Sequence, residues 1–159
     1  MAEKTIVIQY EEFSSREEMS PKDQALVEAA LQAQKGSYSP YSHFQVGAAL
    51  LLNNGVVVKG ANQENIAYPS GLCAERTAMF WAGANYPDVP FDTLAVAGSD
   101  NGALCDSPAS PCGACRQVMA EYEKKHGQPL KIILVGDKLI RKFPCVEALL
   151  PFIFDSLDM

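Results

Sequence analysis

Leu130-Lys131-Ile132-Ile133-Leu134-Val135-Gly136-Asp137-Lys138-Leu139-Ile140-Arg141 decides how this chain folds. Residues 130–135 form an apolar run of the length of a buried strand. Gly136-Asp137 then predicts a tight hairpin into Leu139-Ile140-Arg141. A direct hairpin makes these last two strands antiparallel, whereas a crossover helix would make them parallel. The sequence leaves no residues for such a helix.

Working outward, residues 93–97 read as another buried strand. Residues 44–52 and 56–58 read as a strand pair joined by Asn53-Asn54-Gly55, whose residues accept positive φ. Ser20 is a candidate N-cap, with Pro21 at the first helical position and Asp23 in the first turn. Leu26, Ala29, Ala30 and Ala33 give that helix one small apolar face, and Gly36 ends it. A second helix starts near Cys73 and carries residues 76–84. A third runs from Pro111 to about His126, and residues 146–150 form a last short one. The order is helix, hairpin, helix, strand, helix, strand, strand, helix. It predicts an α/β fold: a three-layer α/β/α sandwich around a mixed five-stranded sheet. Residues 5–8 read as a further short strand near the N-terminus.

At 159 residues the chain is one domain by size and buries a core without staples. Its formal net charge of −6 and pI of about 4.9 come without any run of Lys or Arg. Nucleic-acid affinity is dominated by backbone charge. The balance therefore points away from a polynucleotide and toward a small uncharged substrate. Glu3 and Lys4 open the chain with no apolar run of signal-peptide length, and no stretch is long enough to span a bilayer. The five cysteines, an odd number, argue for reduced thiols. Cytoplasm is the expected location, with no membrane partner.

Cys73-Ala74-Glu75 and Pro111-Cys112-Gly113-Ala114-Cys115 carry the chemistry. Both stretches read as helix first turns. Cys112 and Cys115, three apart, project from one face of a turn. Three thiolates hold one Zn²⁺ and leave a fourth position open, as catalytic rather than structural sites do. A carboxylate two residues after the first ligand, followed by P-C-x-x-C, is the pattern of zinc-dependent nucleobase deamination. Three thiolates and Zn²⁺ sum to −1, which blunts acidification of water. Arg76 and two helix N-termini would draw off that charge. The competing reading is a closed structural zinc, with a fourth ligand from Cys105, Cys145, His43 or His126. Taken singly, Glu75 is an ordinary first-turn glutamate, Asn62 and Glu64 are loop residues, and Phe44 is core. His43 and His126 read as surface residues, Cys105 and Cys145 as bystanders, and Arg116 as structural.

Four stretches occur in one order. They are Phe44-Gln45-Val46-Gly47-Ala48-Ala49-Leu50, Asn62-Gln63-Glu64-Asn65, Gly71-Leu72-Cys73-Ala74-Glu75-Arg76-Thr77-Ala78 and Ser110-Pro111-Cys112-Gly113-Ala114-Cys115-Arg116-Gln117-Val118. Together they resemble the small, homotetrameric, zinc-dependent cytidine deaminases that act on free nucleosides. The resemblance runs from about Pro21 to Leu157. It implies a cytidine deaminase-like catalytic domain over residues 21–159 and an N-terminal extension over 1–20. It implies the hairpin at residues 130–141, where branches acting on transfer RNA or single-stranded DNA insert a helix. It implies zinc on Cys73, Cys112 and Cys115, with Arg76 hydrogen-bonded to a ligand sulfur and Glu75 as proton shuttle. The Ala74 N–H would hold the ring carbonyl and the Pro111 carbonyl would touch the amine. Asn62 and Glu64 match a sugar-binding pair, and Phe44 a ring packed on the base.

The apolar tail Leu149-Leu150-Pro151-Phe152-Ile153-Phe154 must fold back or bury in a partner. The resemblance implies a homotetramer in which Phe154 packs over the nucleoside of an adjacent chain. Phe152 and Ile153 depart from the small residues usual between Pro151 and Phe154. The expected activity is hydrolysis of cytidine and 2′-deoxycytidine to uridine and 2′-deoxyuridine. Two alternatives stand beside it: a deaminase of a modified nucleoside, and a zinc-stabilised binding module without turnover.

Overall fold

The computed structural model describes residues 1–156. Leu157, where the resemblance ends, and the last two residues of the expected domain lie outside the described residues. In chain order the elements are β1 (Glu11–Phe13), α1 (Pro21–Ala33), β2 (Phe44–Leu52), β3 (Val57–Ala61) and α2 (Ala74–Asn85), then β4 (Phe91–Asp100), β5 (Ala103–Leu104), α3 (Gly113–His126), β6 (Lys131–Val135) and β7 (Ile140–Phe143). The strands make one sheet in the order β1-β7-β6-β4-β2-β3, with β5 paired to β4. Only the β4–β6 pair is parallel.

The sheet is mixed, as expected, but has seven strands rather than five. The two additions are short. β1 lies on the β7 edge, with Glu12 opposite Arg141 in register and paired to it at 3.0 Å. Two adjacent glutamates gave no alternating apolar signal there. The apolar residues 5–8 form no strand. Ile6, Val7 and Ile8 are exposed, and the segment meets the sheet end through Tyr10, stacked on Phe143 with centroids 5.3 Å apart. β5 folds back on β4 through Asn101 (φ 48°) and Gly102 (φ 83°). Sequence reasoning missed this strand, although Asn-Gly is a hairpin signal.

Alternate residues of each strand face opposite sides. Leu50, Leu94, Val96, Ile132 and Leu134 pack with Ala78, Met79 and Ala82 of α2 and Met119 of α3. Ala49, Ala95, Ala97, Ile133 and Val135 pack with Leu26, Val27 and Ala30 of α1. α1 starts as the sequence predicts, with the Ser20 side chain accepting from Asp23 N and Pro21 in the first turn.

β6 and β7 are antiparallel, with Val135 opposite Ile140. The connection spans residues 136–139 and is not a two-residue turn. Its Asp137 and Lys138 N–H groups donate to the Cys105 and Asp106 carbonyls. The neighbouring loop thus satisfies the extra residues. α3 begins at Gly113, leaving Pro111 outside it, and the last short helix is a 3-10 turn at Val146–Ala148. Among the described residues no helix is long and apolar enough to cross a membrane.

Candidate active site

Cys73 is the N-cap of α2 and Cys112 the N-cap of α3. Neither helix has a side-chain cap. Their first N–H groups are therefore free to face negative charge. Gly60 of β3 lets α2 approach the sheet: a Cβ there would stand 2.5 Å from the Ala74 carbonyl and 2.6 Å from the Ala78 nitrogen.

The two helix starts bring three sulfurs together. Cys73, Cys112 and Cys115 Sγ all lie within 4.8 Å of one another. Cys73 and Cys112 Sγ are 3.8 Å apart, and Cys112 and Cys115 Sγ 3.5 Å. Arg76 Nη2 donates to Cys73 Sγ at 3.3 Å. The Cys73 thiol is drawn down to about 5, first by the hydrogen bond from Cys115, then by Arg76 and Cys112 against the pull of burial. Cys115 is pushed up, because it donates to Cys73 and is buried. The thiolate is thus favoured on Cys73 and the proton on Cys115. A divalent cation that deprotonates all three fits this donor set. Among the described residues Cys105, Cys145, His43 and His126 do not join the group, and neither does the Glu75 carboxylate. All five cysteines are free thiols.

Glu75 is 4% exposed. Burial raises its carboxyl, and the nearby Cys73 charge adds to the rise. Ala74, first residue of α2, is fully buried. The Pro111 carbonyl accepts from Arg116 Nε at 2.9 Å. The Phe44 ring packs on Gly98 of β4, where a Cβ would stand 2.9 Å from Phe44 Cζ.

A cavity of about 440 Å³ joins Cys73 and Arg76 to Asn62, Glu64, Tyr41, Ser42 and Tyr68. Asn62 is heavily engaged there. Its Oδ1 accepts from Ser37 Oγ at 2.5 Å and Val46 N at 2.8 Å, and its Nδ2 donates to the Phe44 carbonyl at 2.9 Å. Glu64 accepts from the Tyr41 and Ser42 N–H groups and from Ser42 Oγ. The Ser42 hydroxyl, ahead of the backbone donors, holds its carboxyl below the ordinary range. Sequence reasoning missed Tyr41 and Ser42, because a loop serine carries no signal for a partner 22 residues on.

Phe154 is not in this cavity. It lines another, beside Gln117, Val118, Glu121 and Lys124, and the two share no residue. His126 is half-buried rather than fully exposed. Among the described residues both of its ring nitrogens are buried without a hydrogen-bond partner, and its ring meets Phe91 edge-on at 5.0 Å.

A three-sulfur metal group at two helix starts, beside a buried carboxylate, defines a zinc-dependent hydrolase type of site. The model of the cytidine and deoxycytidylate deaminase zinc-binding region matches residues 20–127, and the chain belongs to that family. It is 45% identical over 138 residues to the cytidine deaminase of Halalkalibacterium halodurans, covering 86% of this chain and 96% of that one. It is 43% identical over 113 residues to the cytidine deaminase of Mycobacterium tuberculosis, covering 69% and 80%. The crystal structure of cytidine deaminase from Burkholderia pseudomallei superposes with a TM-score of 0.71 at 42% identity, over 86% of this chain and 100% of that one.

Proposed function

We infer that this chain hydrolyses cytidine and 2′-deoxycytidine to the uridines, releasing ammonia, as a step of pyrimidine salvage. The observation that carries this is the three-sulfur group with the buried Glu75 two residues after Cys73. A Zn²⁺ ion held by Cys73, Cys112 and Cys115 supplies the Lewis acidity that makes water a usable nucleophile near neutral pH. Glu75 takes one proton from the water as its oxygen bonds to ring carbon four and passes it to ring nitrogen three. Glu75 then takes the second proton from the new carbon-four hydroxyl and gives it to the amine, which leaves as ammonia as the carbon–nitrogen bond breaks and the carbonyl forms. Its raised carboxyl suits it to accept and return a proton. Arg76 spreads the charge of the Cys73 sulfur. The Ala74 N–H, at an uncapped helix start, donates to the ring carbonyl, and the Pro111 carbonyl accepts from the amine. Phe44 packs on the base.

Glu64 reads the sugar by exchanging the Ser42 hydroxyl for a ribose hydroxyl. Asn62 holds the strand ends that shape the pocket. The charge of the cavity favours a nucleoside over its 5′-phosphate. Arg76 is its one lining cation and is already engaged by Cys73, while Glu64 is an anion facing the same space.

The split of the core between α1 on one set of strand residues and α2 with α3 on the other supports a three-layer arrangement. Residues 21–159 form the catalytic domain and 1–20 an extension, in a cytoplasmic enzyme without nucleic-acid or membrane partners. The assembly is a homotetramer with shared sites. Phe152 and Phe154 are 82% and 68% exposed, and Phe154 lines a cavity apart from that of Cys73. To pack on a nucleoside it must reach the site of an adjacent chain.

The test is to add cytidine to the zinc-loaded protein and follow the ultraviolet absorbance of the base. Turnover that stops on chelation supports the reading. Stoichiometric zinc with no turnover would leave a binding module. Turnover confined to modified nucleosides would favour the other alternative.

A further inference from the structure

Arg116 stands directly after Cys115, in the first turn of α3. A cation at a helix N-terminus is electrostatically disfavoured, and among the described residues Arg116 has no carboxylate within ion-pair distance. Its guanidinium is spent on two carbonyls instead. Nε donates to Pro111 O at 2.9 Å, five residues back, and Nη1 donates to Leu149 O at 2.6 Å, 33 residues on. The next residue acts on the same tail, with Gln117 Nε2 donating to Phe154 O at 2.7 Å.

The two acceptors belong to different parts of the chain. Pro111 precedes the ligand Cys112, and its carbonyl orientation fixes the entry to the metal turn. Leu149 follows the 3-10 turn at Val146–Ala148 and starts the tail, whose Leu149, Leu150 and Ile153 pack against the core. One planar side chain thus ties the start of the metal-bearing helix to the root of the tail. A fork of fixed geometry can do this, whereas a lysine's single ammonium is a point charge.

We propose that Arg116 is a positioning residue that clamps the Pro111 carbonyl and the Leu149 carbonyl together, so that the amine contact and the tail are set by one group. The inference rests on the deaminase reading for the role of Pro111. The clamp itself rests only on geometry. Arg116 touches neither metal nor substrate. Loss of the clamp lets the Pro111 carbonyl turn away from the amine, which slows the chemical step, and frees the tail.

The experiment compares Arg116→Ala, Arg116→Lys and Gln117→Ala with the unaltered zinc-loaded enzyme. Zinc content, kcat and KM for cytidine, and limited proteolysis of the tail are measured. Arg116→Ala and Arg116→Lys should keep one zinc per chain and lose about 10–100-fold in kcat, the usual scale for groups that orient a metal site. Their tails should become cleavable beyond Leu149. Millimolar methylguanidinium should restore part of the kcat of Arg116→Ala. Gln117→Ala should loosen only the tail end, raising KM and sparing kcat. Unchanged kcat in both Arg116 variants, or a loss that follows zinc loss without rescue, would overturn the proposal. If Arg116→Ala does not fold, Arg116→Lys, which keeps stem and charge, carries the same expectation. If the unaltered enzyme does not turn over cytidine, the deaminase reading fails. Tail release in the Arg116 variants then still decides the clamp: a tail as protected as in the unaltered chain sinks it.

Discussion

Arg76 Nη2 lies 3.3 Å from Cys73 Sγ, three residues back on the turn that opens α2. The bond makes the arginine part of the metal site without making it a ligand. It helps hold the Cys73 thiol near 5, and the thiolate in turn raises the arginine. Protons and metal compete for thiolates. Arg76→Gln should therefore raise the Cys73 thiol and let protons compete at higher pH. Zinc should still bind at pH 8 but leave at a higher pH on acidification than in the unaltered chain. A colorimetric chelator across the pH range reads this. Identical release profiles would refute it.

Glu75→Gln should keep zinc and fold, since the amide has nearly the same shape and the carboxylate is no ligand. Turnover should fall by about 10²–10⁴, the range for loss of a general acid–base group. Zinc content and melting temperature serve as controls beside the cytidine assay. A fully active Glu75→Gln enzyme is incompatible with the shuttle role.

Gly60→Ala should destabilise the protein and weaken zinc retention together. The added methyl meets backbone atoms of α2, the Ala74 carbonyl and the Ala78 nitrogen, which cannot rotate away. Overpacking of this kind costs about 1–3 kcal/mol, and here it pushes the turn carrying Cys73. Denaturant unfolding and zinc titration check both parts. A variant with unchanged zinc affinity would show that α2 shifts as a rigid body.

Asp92, at the start of β4, accepts from Lys22 of α1 at 2.8 Å and Lys131 of β6 at 3.3 Å. Burial pulls its carboxyl upward, but the bonds from Lys22, Thr93 and Lys131 win and hold it low. A carboxyl lowered on folding stabilises the fold above its unfolded value, near 3.8, and loses that contribution as pH falls through the folded value. Asp92→Asn should cost on the order of 1 kcal/mol at pH 7, because both lysines are partly exposed. The difference should shrink below about pH 4. Urea midpoints at pH 7 and pH 3 test it, and a constant gap would contradict the ion-pair account.

The sequence by itself determined the helices, the five longer strands and the three cysteines that the fold brings together. Ser20-Pro21 fixed the start of α1, Asn53-Asn54-Gly55 the first hairpin, and the short link after Val135 the antiparallel β6–β7 pair. These are local signals, because caps, turns and periodicity depend on residues a few positions apart. Cys73, Cys112 and Cys115 were legible as a group because ligand chemistry restricts residue type and spacing. Tertiary structure alone decided what depends on distant partners. β1 is a strand only because the β7 edge offers it hydrogen bonds, while the more apolar residues 5–8 have no such edge. Ser42 meets Glu64, and Arg116 meets Leu149, across separations that no local pattern encodes. Polar side chains accept almost any partner of the right charge, so only the folded geometry selects which one they find.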